Sequence, residues 1–262
     1  MKTRRAAIVL AAGQGKRMKS ELAKAMHQFF GKPLIDNVIE KYAGLGLERI
    51  VVIVGHQGQQ VEEHLSKTFP ELKIQIAWQN ERLGTGHAVM MARDALADFD
   101  GSVLVAACDV PCISPRSLLS LFTLHEKNDA GATCLSAEFS NPTGYGRIVR
   151  EGQTDRMLKI VEHREATDDE REINEINSGI FVFDSRPLFS ALDSVKDDNS
   201  QGEYYLTDVI GILSERKIGC FVSRATNPDE VRGINSLEQL KELEAIFAET
   251  DAVQPTRSDL NK

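Results

Sequence analysis

The chain is poor in cysteine, with 4 in 262 residues, at positions 108, 112, 134 and 220. That density excludes a disulfide scaffold, and Cys108 and Cys112 stand too far from other soft ligands for a zinc site. Reduced, buried thiols in a cytoplasmic protein are expected. An excess of basic charge is also missing. The 31 Lys and Arg residues are outnumbered by 39 Asp and Glu, giving a net charge of −8. This excludes a general nucleic-acid or anionic-membrane surface. No apolar run approaches the length that spans a bilayer. The basic start Lys2-Thr3-Arg4-Arg5 leads into an apolar stretch that is broken at once by Gly13-Gln14-Gly15-Lys16-Arg17, so no secretory signal is expected. No internal repeat is visible.

What is present suits an α/β protein. The composition is 42% hydrophobic and 27% charged, enough for a sizeable core in one large domain or two small ones. Ala6–Ala11 runs as a buried strand straight into Ala12-Gly13-Gln14-Gly15-Lys16-Arg17-Met18, with Lys24 soon after. Glycines let backbone N–H groups approach an anion, and Arg17 and Lys24 add charge, so the turn reads as a phosphate-holding loop. It is not a P-loop, because Gly15-Lys16 is followed by Arg17 rather than Ser or Thr. Nor is it a dinucleotide fingerprint, because Met18 stands where a third small residue is needed.

Apolar strands are expected at 6–11, 49–54, 73–78, 102–107 and 132–137, alternating with helices at 34–45, 59–68, 86–97 and 115–126. They show little period-2 alternation, as in strands covered on both faces, and the β-α order predicts a Rossmann-like, doubly wound, mostly parallel sheet. Ligands in such sheets bind beyond the carboxyl ends of the strands. From about Pro142 shorter strands (146–150, 156–162 and 176–183) predict antiparallel hairpins. A helix at 204–215, a strand at 218–223 and a helix at 236–247 follow. Residues 1–249 are expected as the folded domain and 250–262 as a disordered tail.

The loop Leu10-Ala11-Ala12-Gly13-x-Gly15-x-Arg17-Met18 with Lys24 resembles the signature of sugar-phosphate nucleotidyltransferases. Further segments narrow the resemblance: Gly84-Thr85-Gly86-His87-Ala88, Asp109-Val110-Pro111, Pro142-Thr143-Gly144-Tyr145-Gly146-Arg147-Ile148, Ile160-Val161-Glu162-His163, Glu175-Ile176-Asn177-Ser178-Gly179, Gln201-Gly202-Glu203-Tyr204-Tyr205-Leu206-Thr207-Asp208 and Gly233-Ile234-Asn235. In this order, across residues 5–248, they resemble the uridyltransferase domain of the bifunctional N-acetylglucosamine-1-phosphate uridyltransferase/glucosamine-1-phosphate acetyltransferase family. The resemblance implies the nucleotide-diphospho-sugar transferase fold, with 5–140 mainly nucleotide-binding and 141–235 a sugar-binding lobe. The hexapeptide β-helix of the bifunctional relatives is absent from this sequence. Uridyl transfer without acetyl transfer is therefore expected, with a separate acetyltransferase left open as a partner.

The implied reaction joins UTP and N-acetylglucosamine 1-phosphate to give UDP-N-acetylglucosamine and pyrophosphate, with Mg²⁺ as cofactor. The nucleophile is already an anion, so no general base is needed; the difficulty is bringing two polyanions together. By resemblance, Arg17 and Lys24 are catalytic cations and Asp109 and Asn235 hold the metal. Leu10, Ala11, Ala12, Gly13, Gln79, Gly84 and Thr85 bind nucleotide, and Gly144, Glu162, Asn177, Tyr205 and Thr207 bind sugar. On local sequence alone, Asp109 reads equally as a turn cap before Pro111 and Asn235 as the N-cap of the last helix. Asn177 also reads as a turn residue, Glu162 as an exposed strand residue, and His87 as structural.

Ala23 stands where relatives usually have Pro, and Cys108 where they usually have Gly, so a side chain at 108 is expected to crowd the nucleotide. Arg82 replaces a common Gln and adds charge near the nucleobase or ribose edge. The alternative readings are a UTP or dTTP nucleotidyltransferase for glucose 1-phosphate or another hexose 1-phosphate, and a non-catalytic nucleotide-sugar sensor.

Overall fold

A computed structural model describes residues 4–18 and 20–253. Lys19, expected to be solvated, lies outside the described residues, as do 254–262 of the expected tail. The chain opens with β1 (Arg5–Leu10), a 3₁₀ turn at Lys16–Met18 and a second at Lys24–Met26. A small hairpin, β2 (Gln28–Phe29) and β3 (Lys32–Pro33), leads into α1 (Leu34–Ala43), β4 (Arg49–Val54), α2 (Gly58–Thr68) and β5 (Ile74–Trp78). Then come α3 (Thr85–Met90), β6 (Ser102–Ala107), α4 (Pro115–Lys127) and β7 (Ala132–Glu138). The remainder is β8 (Arg147–Arg150), β9 (Met157–Val161), α5 (Asp168–Arg171), β10 (Glu175–Asp184), α6 (Ser185–Leu192), α7 (Asp208–Glu215), β11 (Cys220–Arg224) and α8 (Leu237–Val253).

The main sheet runs β11-β7-β10-β6-β1-β4-β5. β1 pairs parallel with β4 on one side and β6 on the other, with Leu10 opposite both Ile53 and Ala107. The order β1→β4→β5 then reverses to β6, so the crevice between β1 and β6 is the topological switch point where such sheets bind ligands. Alternate residues of β1 face opposite cores. Ala7 and Val9 pack toward α1, α2 and α4, while Ala6 and Ile8 pack toward α3, α6 and α7.

β10 was expected in an antiparallel lobe, and it serves both parts. Its C-terminal half pairs antiparallel with β6, while Ile176 near its start meets Arg147 of β8. The register against β7 shifts between Asn177 and Phe181. Gly179 takes φ 77° there, a left-handed conformation that suits glycine. The Ser178 hydroxyl donates to Leu135 O at 2.6 Å and accepts from Ile180 N. This bulge turns the strand from the central sheet into the lobe.

Three expectations change. The helix at 86–97 is only α3, followed by tight turns that bring Ala92, Leu96 and Phe99 into the core. Helix α6 was not anticipated; Asp184 caps it by accepting from Arg186 N. Helix α8 passes the expected boundary at 249 and runs to Val253.

Candidate active site

The loops after β1 and β6 leave the sheet side by side, joined where Cys108 N donates to Leu10 O at 3.0 Å. Between them lies a cavity of about 250 Å³, walled by Leu10, Ala12, Gly13, Lys24, Gln79 and Gly84 among others. The phosphate loop wraps the Lys24 stem. A Cβ on Gly15 would come within 3.0 Å of Lys24 Cβ, and Gly15 also holds φ 59°. Lys24 is buried, and its ammonium donates to Asp109 Oδ2 and, at 2.8 Å, to Asn235 Oδ1.

Asn235 reaches this point because the backbone around it is docked. Ile234 N donates to Asp109 O at 2.8 Å, and Ile234 is buried with Met18, Phe29, Leu240 and Leu243 under α8. The capping role that Asn235 could have played falls to its neighbour: Ser236 Oγ accepts from Gln239 N at 3.2 Å. Asp109 caps no helix either, since Ser114 caps α4. Both side chains are thus left for the site.

Gln79 is buried, and its amide nitrogen donates to Gly84 O at 3.0 Å and to His87 Nδ1 at 3.1 Å. His87 is therefore a structural partner of Gln79. The turn is stitched to the far loop as well. Tyr204 N donates to Leu83 O and Gly86 N to Tyr204 O, both at 2.7 Å, and Leu206 N donates to Thr85 Oγ1 at 3.1 Å. Gly84 has φ 103°, and a Cβ there would sit 2.6 Å from Tyr204 O. Only glycine fits this junction.

The far loop carries the sugar-side candidates. Thr207 Oγ1 donates to Glu162 Oε1 at 2.9 Å. The second Glu162 oxygen lies 3.6 Å from where a Cβ on Gly146 would stand, with Asn177 Cβ at 3.5 Å from the same point. Asn177 Oδ1 accepts from Gly179 N at 2.8 Å, so the turn reading of this residue holds locally. Tyr205 is half-buried, and burial first, then Glu162 and Glu203, raise its phenol above the usual range. Burial raises the Glu162 carboxyl above its usual range, against the opposing Thr207 hydrogen bond. Asp208 is pushed up to about 6 by burial first, then by Glu162 and Asp198.

Some candidates stand apart. Arg17 is exposed on its 3₁₀ turn and does not line the cavity. Gly144 has φ 87° with nothing within 4 Å of its Cβ position. Gly144 is the expected sugar-side glycine, whereas the structure gathers Gly146 with Glu162 and Asn177; both glycines sit in one turn motif, and spacing alone does not choose between them. Cys108, expected to crowd the nucleotide, is 3% exposed and packs in the core cluster with Ala106 and Tyr42, yet it also borders the cavity beside Asp109. Burial pushes its thiol up to about 12. All four cysteines are free and buried.

Asp109 and Asn235 converge as two hard oxygen donors, and among the described residues no three His, Cys, Asp or Glu side chains gather as a further metal cluster. This donor set fits a cation such as Mg²⁺, which takes few protein ligands. Among the described residues no helix is long and apolar enough to cross a membrane.

The Nucleotidyl transferase family model matches residues 6–225. The chain is 45% identical over 239 residues to the bifunctional protein GlmU of Brevibacillus brevis, covering 91% of this chain and 50% of that protein. It is 44% identical over 237 residues to the bifunctional protein GlmU of Geobacter sulfurreducens, covering 90% of this chain and 49% of that protein. The chain thus spans about half the length of these relatives. Among solved structures, UDP-glucose pyrophosphorylase complexed with UDP-glucose matches with a TM-score of 0.77 at 19% identity, over 94% of this chain and 99% of that one. That likeness shows the fold. Enzymes of this kind generally use a divalent metal, in keeping with the oxygen donors of Asp109 and Asn235. The chain belongs to the nucleotidyl transferase family.

Proposed function

We propose that the chain transfers a uridylyl group from UTP to N-acetylglucosamine 1-phosphate, forming UDP-N-acetylglucosamine and pyrophosphate. The observation that carries this reading is the meeting of Lys24, Asp109 and Asn235 at the mouth of the β1–β6 crevice. On one side of it lies the cavity walled by Leu10, Ala12, Gly13, Gln79, Gly84 and Thr85. Bonded to that wall is the loop bearing Tyr205 and Thr207, which carries on to Glu162.

A phosphate oxygen of the sugar phosphate attacks the α-phosphorus of UTP, and pyrophosphate leaves from the opposite face. No base is needed; charge must be neutralised and the two anions aligned. Lys24 supplies a buried point charge to the phosphates. Bound between Asp109 and Asn235, Mg²⁺ would neutralise phosphate charge and orient the triphosphate. The Gln79 nitrogen is held by Gly84 and His87, which leaves its carbonyl oxygen to accept from the uracil N–H. Glu162, fixed by Thr207, and Asn177 are placed to hydrogen-bond sugar hydroxyls, and Gly146 leaves room for the ring. The cytoplasm is the compartment that fits four free, buried thiols.

Pyrophosphate release with UTP and Mg²⁺ tests the reading, comparing N-acetylglucosamine 1-phosphate, glucosamine 1-phosphate and glucose 1-phosphate. Turnover with the first alone, lost in Asp109→Asn, is expected. A preference for glucose 1-phosphate overturns the substrate assignment, and nucleotide binding without turnover overturns the catalytic one.

A further inference from the structure

Lys24 and Arg82 are the two cations among the residues lining the cavity. They differ in what holds them. Lys24 is buried and engaged by Asp109 and Asn235. Arg82 is exposed on the loop after β5, and its guanidinium donates to the side-chain oxygen of Gln14. Gln14 is the neutral residue between Gly13 and Gly15 of the phosphate loop. No carboxylate pairs with Arg82 among the described residues, so its charge is not neutralised by the protein. The cavity lining also carries Glu203, a carboxylate that opposes the approach of any polyanion and so raises the need for a cation there. Arg17, expected from its place in the loop to serve phosphates, does not line the cavity.

We infer that Arg82 is a phosphate-binding residue, gripping the polyphosphate of a nucleoside triphosphate as a second cation of the cavity beside Lys24. This rests on the nucleotide reading of the cavity. A guanidinium presents a planar fork of donors matched to phosphate oxygens, and a neutral amide partner is exchanged for an anion at little cost. Gln14 holds the fork above the phosphate loop, where the polyphosphate would lie.

Calorimetric titration of the full chain with UTP, UDP and uridine, all with Mg²⁺ present, tests this in wild type, Arg82→Gln and Arg82→Lys. Because Arg82 is exposed, both variants should fold, and thermal melts verify that. Arg82→Gln is expected to weaken UTP about two- to fivefold, the scale of one exposed charge contact. Arg82→Lys should fall between it and wild type, and uridine should bind all three alike. Equal losses for uridine and UTP, or no loss for either, overturn the inference while leaving the nucleotide reading in place. Failure of the wild type itself to bind UTP overturns the nucleotide reading, and this inference with it.

Discussion

Lys24 and Asn235, 211 residues apart in the chain, meet at 2.8 Å, and the same ammonium holds Asp109. The two oxygen donors suited to a metal are thus joined by a cation from the phosphate loop. An ammonium and a divalent ion compete for the same oxygens, so a metal held by Asp109 and Asn235 would leave Lys24 free to serve the phosphates.

Lys24→Met is expected to tighten Mn²⁺ binding about tenfold, because a nearby positive charge is removed, while turnover falls about a hundredfold or more. Electron paramagnetic resonance titration of free Mn²⁺ reads the first effect without any substrate. Weaker Mn²⁺ binding in the variant would show that the lysine supports the metal site rather than competing with it.

Two left-handed glycines separate strain from collision. Gly84→Ala places a Cβ 2.6 Å from Tyr204 O, whereas Gly144→Ala meets nothing within 4 Å. The first should cost about 3 kcal/mol or more and raise the KM for UTP. The second should cost about 1 kcal/mol, from its φ alone. Denaturant melts of the two variants provide the comparison, and equal losses would count against the Tyr204 junction.

Thr207→Val keeps the shape of a buried side chain and removes its hydrogen bond to Glu162. KM for the sugar phosphate should rise about tenfold with the KM for UTP unchanged. A parallel rise in both constants would mean that Thr207 supports the whole cleft.

Asp208 binds its proton more tightly folded than unfolded, since burial, Glu162 and Asp198 push it up to about 6. Its contribution to stability is full below the unfolded value of about 4 and is lost as pH rises through the folded one. Asp208→Asn should therefore raise the Tm at neutral pH, with the gain over wild type shrinking as pH falls from about 6 to about 4. A gain that is constant across that range would place the effect elsewhere.

The parallel strands were legible because Val-, Ile- and Ala-rich runs at the right lengths leave few other structures that bury them. Three features were hidden. The strand β10 looks like a lobe hairpin locally, and only the pairing of Phe181 with Val105 draws it into the main sheet. Helix α3 ends early because the chain tightens to bury Ala92 and Leu96. Gly146 and Gly144 share a motif, and only the neighbouring Glu162 and Asn177 tell them apart.

By itself the sequence determined the phosphate loop, the doubly wound order and the chemical types gathered for the site, because hydrophobic runs, glycine turns and charged residues act locally. It did not decide how those types are used. Asn235 reads as a helix cap until Ser236 is seen to take that role and Ile234 to dock on Asp109. Arg82 reads as a charge near the nucleobase or ribose edge until its loop brings it to Gln14 of the phosphate loop. Those outcomes depend on contacts between residues far apart in the chain, whose geometry is set by packing of the whole domain.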